Sequence, residues 1–175
     1  GPMPRAAPRL PETDRDGAAA VYFCACINRM FGRDPDGPAA PSLAETFVSL
    51  SRRAGKPLWI PPDVAGLCCS TPWKSKGYRE GHKHMAQAVA DALWRWSDGG
   101  ALPIVVDAAS CTMGLKEDVA TQLEGERREQ YDSLKIIDSI AFVDRRVRAS
   151  VGDMVSKNTV SVSCMLTRRL AAAPG

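Results

Sequence analysis

Short apolar runs alternate along this chain with longer stretches in which apolar residues recur every three or four positions. "AAAVYFCAC" (18–26) is apolar and aromatic, and it predicts a buried strand ending in cysteines. "FGRDPDGPAAP" (31–41) is a loop by its glycine and proline content. A helix follows at about 42–54, where Ser42 and Glu45 form a capping box, Gly55 supplies the stop, and Leu43, Phe47 and Leu50 share a face. "KPLWIPP" (56–62) reads as a second strand, and "GLCCSTPWKSKG" (66–77) is the loop that leaves it. The next helix, about 78–97, places Met85, Ala88, Val89, Ala92, Leu93 and Trp96 on one stripe. Trp94 falls off that stripe and reads as a surface residue covered by a neighbouring loop.

"LPIVVDAASC" (102–111) predicts the third strand, with Cys111 just beyond its carboxyl end. "MGLKEDVATQLEGERREQ" (113–130) reads as helix and "LKIID" (134–138) as a fourth strand. "SIAFVDRRVRASV" (139–151) reads as a helix with a basic outer face, and "NTVSVSC" (158–164) as a last strand closing on Cys164. Strands alternating with helices predict an α/β fold, an open and mainly parallel sheet in three layers with flanking helices, built from Rossmann-like βα units. Residues 1–17 are rich in proline and arginine and lack periodicity, so they read as a linker opening on a tag scar, Gly1-Pro2. The domain reading is one unit over 18–157 and the start of a second, truncated one at 158–175.

Composition narrows the function classes. A net charge of +3, dispersed along the chain, and 6% aromatic residues argue against a nucleic-acid platform. No apolar run is long enough to span a membrane, and the amino terminus lacks the apolar stretch of a secretory signal. The expected location is cytoplasmic, or peripheral at the inner face of the membrane. A chain of 175 residues can bury a core without staples, so its six cysteines need not be disulfides. Neighbouring Cys68 and Cys69 are also poorly spaced to bridge, because consecutive Cα atoms lie about 3.8 Å apart and disulfides want roughly 4.4–6.8 Å.

The cysteines have an order. Forty-one residues separate Cys26 from Cys68, and forty-one separate Cys69 from Cys111. Each interval holds one strand and one helix, which returns every cysteine to the carboxyl edge of the sheet, where open α/β folds keep their functional crevice. "VYFCACINRM" and "VSVSCMLTRRL" share an apolar strand, a cysteine at its end, then an apolar residue and arginine, which suggests a second copy of the unit from about Thr159.

Cys26, the pair "CC" at 68–69 and Cys111 resemble the cysteine-rich CCG domain of iron–sulfur oxidoreductases. The connecting text, "VYFCACINRMFG", "WIPPDVAGLCCSTPWKSKGYREGHKHMA" and "LPIVVDAASCTMGL", is similar to the carboxyl-terminal region of bacterial FAD-linked D-lactate dehydrogenases, over roughly residues 18–170. The resemblance implies an iron–sulfur electron-transfer domain whose cluster, of the 4Fe-4S kind, is held by Cys26, Cys68, Cys69 and Cys111. Cys164 would then be a ligand of a second site. FAD would sit in an upstream domain, beside ferredoxin-like domains of the same protein, and electrons would leave to a quinone or cytochrome. This chain would then carry no complete active site and no catalytic residue of its own. It departs from the family pattern in three places: Ser70 stands where CCG has its glycine, Ala108 replaces the first cysteine of CxxC, and Cys24 is an additional cysteine.

Four thiolates also fit a structural zinc ion, and a metal-free interaction domain is a third reading. Lys74, Lys76 and Arg79 either raise a cluster's potential or belong to a solvated loop. Cys24 reads as plain burial. His82 and His84 lack the i, i+4 spacing of zinc helices and read as solvent-facing or hydrogen-bonding, and Asp107 as a cap for the amides of the Cys111 turn.

Overall fold

The computed structural model describes residues 6–32 and 40–144. Four parallel strands form its sheet: β1 (Ala20–Phe23), β2 (Leu58–Trp59), β3 (Ile104–Val106) and β4 (Ile136–Asp138), in the order β2-β1-β3-β4. Val21 stands between Trp59 and Ile104, and Val106 pairs with Asp138 across the far side. The central strands are fully buried, as continuous apolar runs such as AVYF and IVV require when both faces of a parallel sheet are covered. The chain moves outward from β1 to β2, then returns to β3 on β1's other side. That reversal sets the switch point, where open α/β sheets generally keep their crevice, at the carboxyl ends of β1 and β3.

Side-chain alternation along β1 shows the layers. Tyr22 meets Phe47 of α2 (Leu43–Arg53) edge to face at 5.1 Å, and Phe47 meets Phe142 of α7 (Ser139–Phe142) at 6.2 Å. Phe23 points the other way, to Trp96 of α4 (Arg79–Trp96), at 6.5 Å. Helices therefore cover both faces of the sheet, and the expected three-layer α/β architecture is the one observed.

The α2 boundaries agree with the sequence. Glu45 N donates to Ser42 Oγ at 3.2 Å, Ser42 N donates back to Glu45 Oε2 at 2.6 Å, and Gly55 closes the helix at φ 69°. Its buried face differs. Ala44, Phe47 and Ser51 face inward, while Leu43 and Leu50 are 52% and 40% exposed, because Phe47 turns the helix towards Tyr22 and Phe142. On α4 the buried residues are His82, Ala86, Val89, Ala90, Ala92, Leu93 and Trp96, so Val89, Ala92, Leu93 and Trp96 face inward as expected, with Met85 and Ala88 half-buried at the margin. Trp94 lies half-buried against Gly99 of the following loop, in line with expectation.

Two expected elements are different. The stretch 113–130 is not one helix: α5 (Ala109–Met113) runs into a π turn (Gly114–Asp118) and a 3-10 turn (Ala120–Gln122), Leu123 and Glu124 are extended, and α6 (Gly125–Asp132) starts afresh. Residues 6–17 form no helix or strand, yet they are not a free linker. Ala6 bridges Phe31, Thr13 Oγ1 accepts from Ile60 N at 2.7 Å, and the Arg15 guanidinium lies 5.1 Å from the centre of the Trp59 ring. Gly1-Pro2, the basic helix beyond Asp144, the strand at 158–164, the boundary at 157/158 and Cys164 lie outside the described residues. No helix among the described residues is long and apolar enough to cross a membrane.

Candidate functional site

Three loops leave the carboxyl edge of the sheet carrying sulfur. After β1 the chain passes Cys24 and Ala25 and starts α1 (Cys26–Met30), so Cys26 stands at the helix start just beyond the strand, half-buried. After β2, Asp63 accepts from Trp96 Nε1 at 2.9 Å and pairs with Arg95, which pins the outgoing loop to α4. A 3-10 turn (Val64–Gly66) then leads through Leu67 to Cys68 and Cys69. After β3, Ala108 precedes α5, and Cys111 lies in its middle, buried.

The sulfurs meet. Cys69 Sγ lies 3.2 Å from Cys111 Sγ, in hydrogen-bonding contact, with Thr71 Oγ1 3.4 Å from the Cys69 sulfur. The hydrogen bond between them holds the Cys69 thiol below the ordinary thiol range, and the same bond, helped by burial, pushes the Cys111 thiol up. Burial also raises the Cys68 thiol, against a hydrogen bond that Ser70 N donates to Cys68 Sγ at 3.4 Å. Charge on Cys26 contributes to raising both Cys68 and Cys111, so Cys26 is an electrostatic neighbour of both.

The paired-cysteine loop is shaped by close approaches. Ser70 adopts a left-handed backbone, φ 62° and ψ −12°, with its side chain fully buried and Oγ without a partner among the described residues. Pro72 then starts α3 (Thr71–Ser75), whose Trp73 lies flat on Gly81 of α4; a Cβ on Gly81 would come within 2.6 Å of the ring. Gly114 plays the same part below the loop, since a Cβ there would stand 2.1 Å from Thr71 Oγ1. That approach occurs where the helix slips into its π turn, a distortion that recurs at functional sites.

Arg29 was not among the sequence candidates. Its Nη1 donates to Val64 O at 2.7 Å and its Nη2 to Leu67 O, so one guanidinium on α1 clamps the backbone leading into Cys68. The only signal for it was the apolar–arginine step after Cys26. Lys74 pairs with Asp118 at 2.5 Å, and Lys76 and Arg79 are exposed, which is the solvated-loop arrangement. Asp107 does not cap the Cys111 turn. It reaches across to the end of β1, accepting from Ala25 N at 2.7 Å, Tyr22 OH at 2.7 Å and Cys24 Sγ at 3.4 Å, because the parallel register sets these strand ends side by side. Cys24 is fully buried, as expected, and burial followed by the Asp107 charge pushes its thiol up to about 12. His84 is exposed, whereas His82 is buried with Nδ1 unpartnered among the described residues, so it faces no solvent.

In kind, four cysteines are the donor set of an iron–sulfur cluster. Among the described residues, however, no group of three or more His, Cys, Asp or Glu is arranged to hold a metal ion, and the Cys69–Cys111 pair is closed on itself. Compared with protein-family models, with curated proteins and with solved structures, the chain matches none of them.

Proposed function

We propose that this chain is an iron–sulfur electron-transfer domain of an FAD-linked oxidoreductase acting on D-lactate or a similar 2-hydroxy acid. The observation that carries the reading is that Cys26, Cys68, Cys69 and Cys111 follow three different strands of one parallel sheet at its carboxyl edge, with Cys69 and Cys111 in contact. The left-handed backbone at Ser70 adds support. Glycine adopts that conformation at no steric cost, and glycine is the residue the CCG motif carries there. The four cysteines would be the ligands, and a bound cluster would supply a one-electron store between flavin and a quinone or cytochrome.

The chain's own residues would fix where that store sits and at what potential. Arg29 holds the paired-cysteine loop, Gly114 lets it approach α5, and the Ser70 amide donates to the Cys68 sulfur, a bond of the type that tunes cluster potential. The test is anaerobic reconstitution with iron and sulfide, followed by visible absorbance and EPR on the wild type and on Cys68→Ser. The expected outcome is a brown protein whose EPR signal is lost or altered in the variant. A signal indifferent to Cys68 excludes it as a ligand, and colourless zinc uptake favours the structural-zinc reading.

The 3.2 Å Cys69–Cys111 contact favours a second reading, a metal-free domain whose thiols pack against one another. Absence of metal after anaerobic purification, with six titrating thiols in the unfolded chain, selects it.

A further inference from the structure

The Cys69–Cys111 contact joins segments far apart in the chain, and backbone as well as sulfur holds them together. Cys69 lies in the loop after β2 and Cys111 in α5, 42 residues on, with their Sγ atoms 3.2 Å apart. Gly114, at the end of α5, allows the approach: a Cβ there would lie 3.4 Å from Cys69 O. Disulfide sulfurs stand about 2.05 Å apart, so the pair is roughly 1 Å short of a covalent bond. A small rotation of the Cys69 side chain, which sits in a loop rather than a helix, supplies that distance. The other cysteines of the described residues are placed differently. Cys24 is fully buried, with its thiol directed to Asp107 at 3.4 Å. Cys26 and Cys68 line an open cleft beside residues 7–14, and Cys68 is too near Cys69 along the chain to bridge it without strain.

We infer that Cys69 and Cys111 form an oxidation site, a dithiol that a small hydroperoxide closes to a disulfide. Cys69 is 2% exposed and Cys111 7%, so a molecule the size of hydrogen peroxide reaches the pair where bulkier oxidants do not. The Cys111 sulfur, the more open of the two, attacks one peroxide oxygen and breaks the O–O bond, giving a sulfenic acid and water. The Cys69 sulfur then attacks the Cys111 sulfur. The S–S bond forms, the S–O bond breaks, and the hydroxyl leaves with the Cys69 proton as a second water. Two thiols have lost two electrons and one peroxide has gained them. The site rests on the contact, and only its consequence rests on the electron-transfer reading: where both cysteines are cluster ligands, the disulfide removes them, and iron loading waits for reduction.

The test uses the full, metal-free chain, reduced and then given one equivalent of hydrogen peroxide. Remaining thiols are alkylated and the peptides mapped by mass spectrometry without reductant. Titrating thiols should fall from six to four, with one intramolecular bridge, Cys69 to Cys111, reopened by dithiothreitol. Cys68→Ser should keep the bridge and Cys69→Ser should lose it, with circular dichroism checking that each variant folds. In urea, which abolishes the contact, the preference for this pair should disappear. A dominant bridge through any other cysteine, sulfinic acid at Cys69 or Cys111 without a bridge, or six surviving thiols would each overturn the inference. Iron and sulfide offered to the reduced, oxidised and re-reduced chain form a separate arm, in which uptake should be lost on oxidation and return on reduction. A chain that takes up no iron in any state sinks the cluster reading and leaves the bridge result standing.

Discussion

Ser70 holds a backbone conformation that costs an L-residue roughly 1–2 kcal/mol, and it buries a hydroxyl with no partner among the described residues as well. Ser70→Gly should therefore stabilise the chain by about 1 kcal/mol after allowing for the freedom glycine gains when unfolded, a shift that urea denaturation can read. Gly114→Ala should do the reverse. Its new methyl collides with Thr71 Oγ1, and overpacking of this kind costs about 1–3 kcal/mol. Thr71→Ala in the same chain removes the colliding atom, and most of the loss should return in the double variant. At Cys24 the prediction concerns pH. Its folded thiol is pushed up to about 12, so the unfolded chain releases the proton first as pH rises. The contribution is complete below the ordinary thiol range and is lost between there and about pH 12. Stability measured across that window should fall in the wild type and fall less steeply in Cys24→Ala.

At the scale of elements, what was legible followed from local chemistry. The Ser42–Glu45 box, the Gly55 stop and the apolar strands are written in adjacent residues, and each cysteine could be placed at a strand's end by counting units. What was hidden depends on contacts between distant parts of the chain. The π turn after α5 comes with the approach of Gly114 to Thr71, more than forty residues away. The rotation of α2 follows from Phe47 finding Tyr22 and Phe142. Asp107 looked like a cap for its own turn because sequence shows neighbours along the chain, not across parallel strands. Arg29 belongs to the same class, reaching carbonyls 35 and 38 residues away. Arg29→Met keeps the side chain's bulk but removes the clamp. It should cost about 1.5–3 kcal/mol and speed the reaction of Cys68 with a thiol reagent in the folded state, measured by peptide mass spectrometry.

For the whole molecule, the doubly wound order β2-β1-β3-β4 makes one edge the meeting place of loops remote in sequence, and three of those loops carry the cysteines. A cluster held by all four ligands must open the Cys69–Cys111 contact and take every sulfur out of reaction together. The most direct measurement is alkylation of each cysteine before and after anaerobic reconstitution, followed residue by residue with mass spectrometry. Cys26, Cys68, Cys69 and Cys111 should become protected in parallel as iron is taken up, and all four should be exposed again when a chelator removes it. Iron uptake that leaves Cys26 or Cys111 as reactive as before would contradict the account.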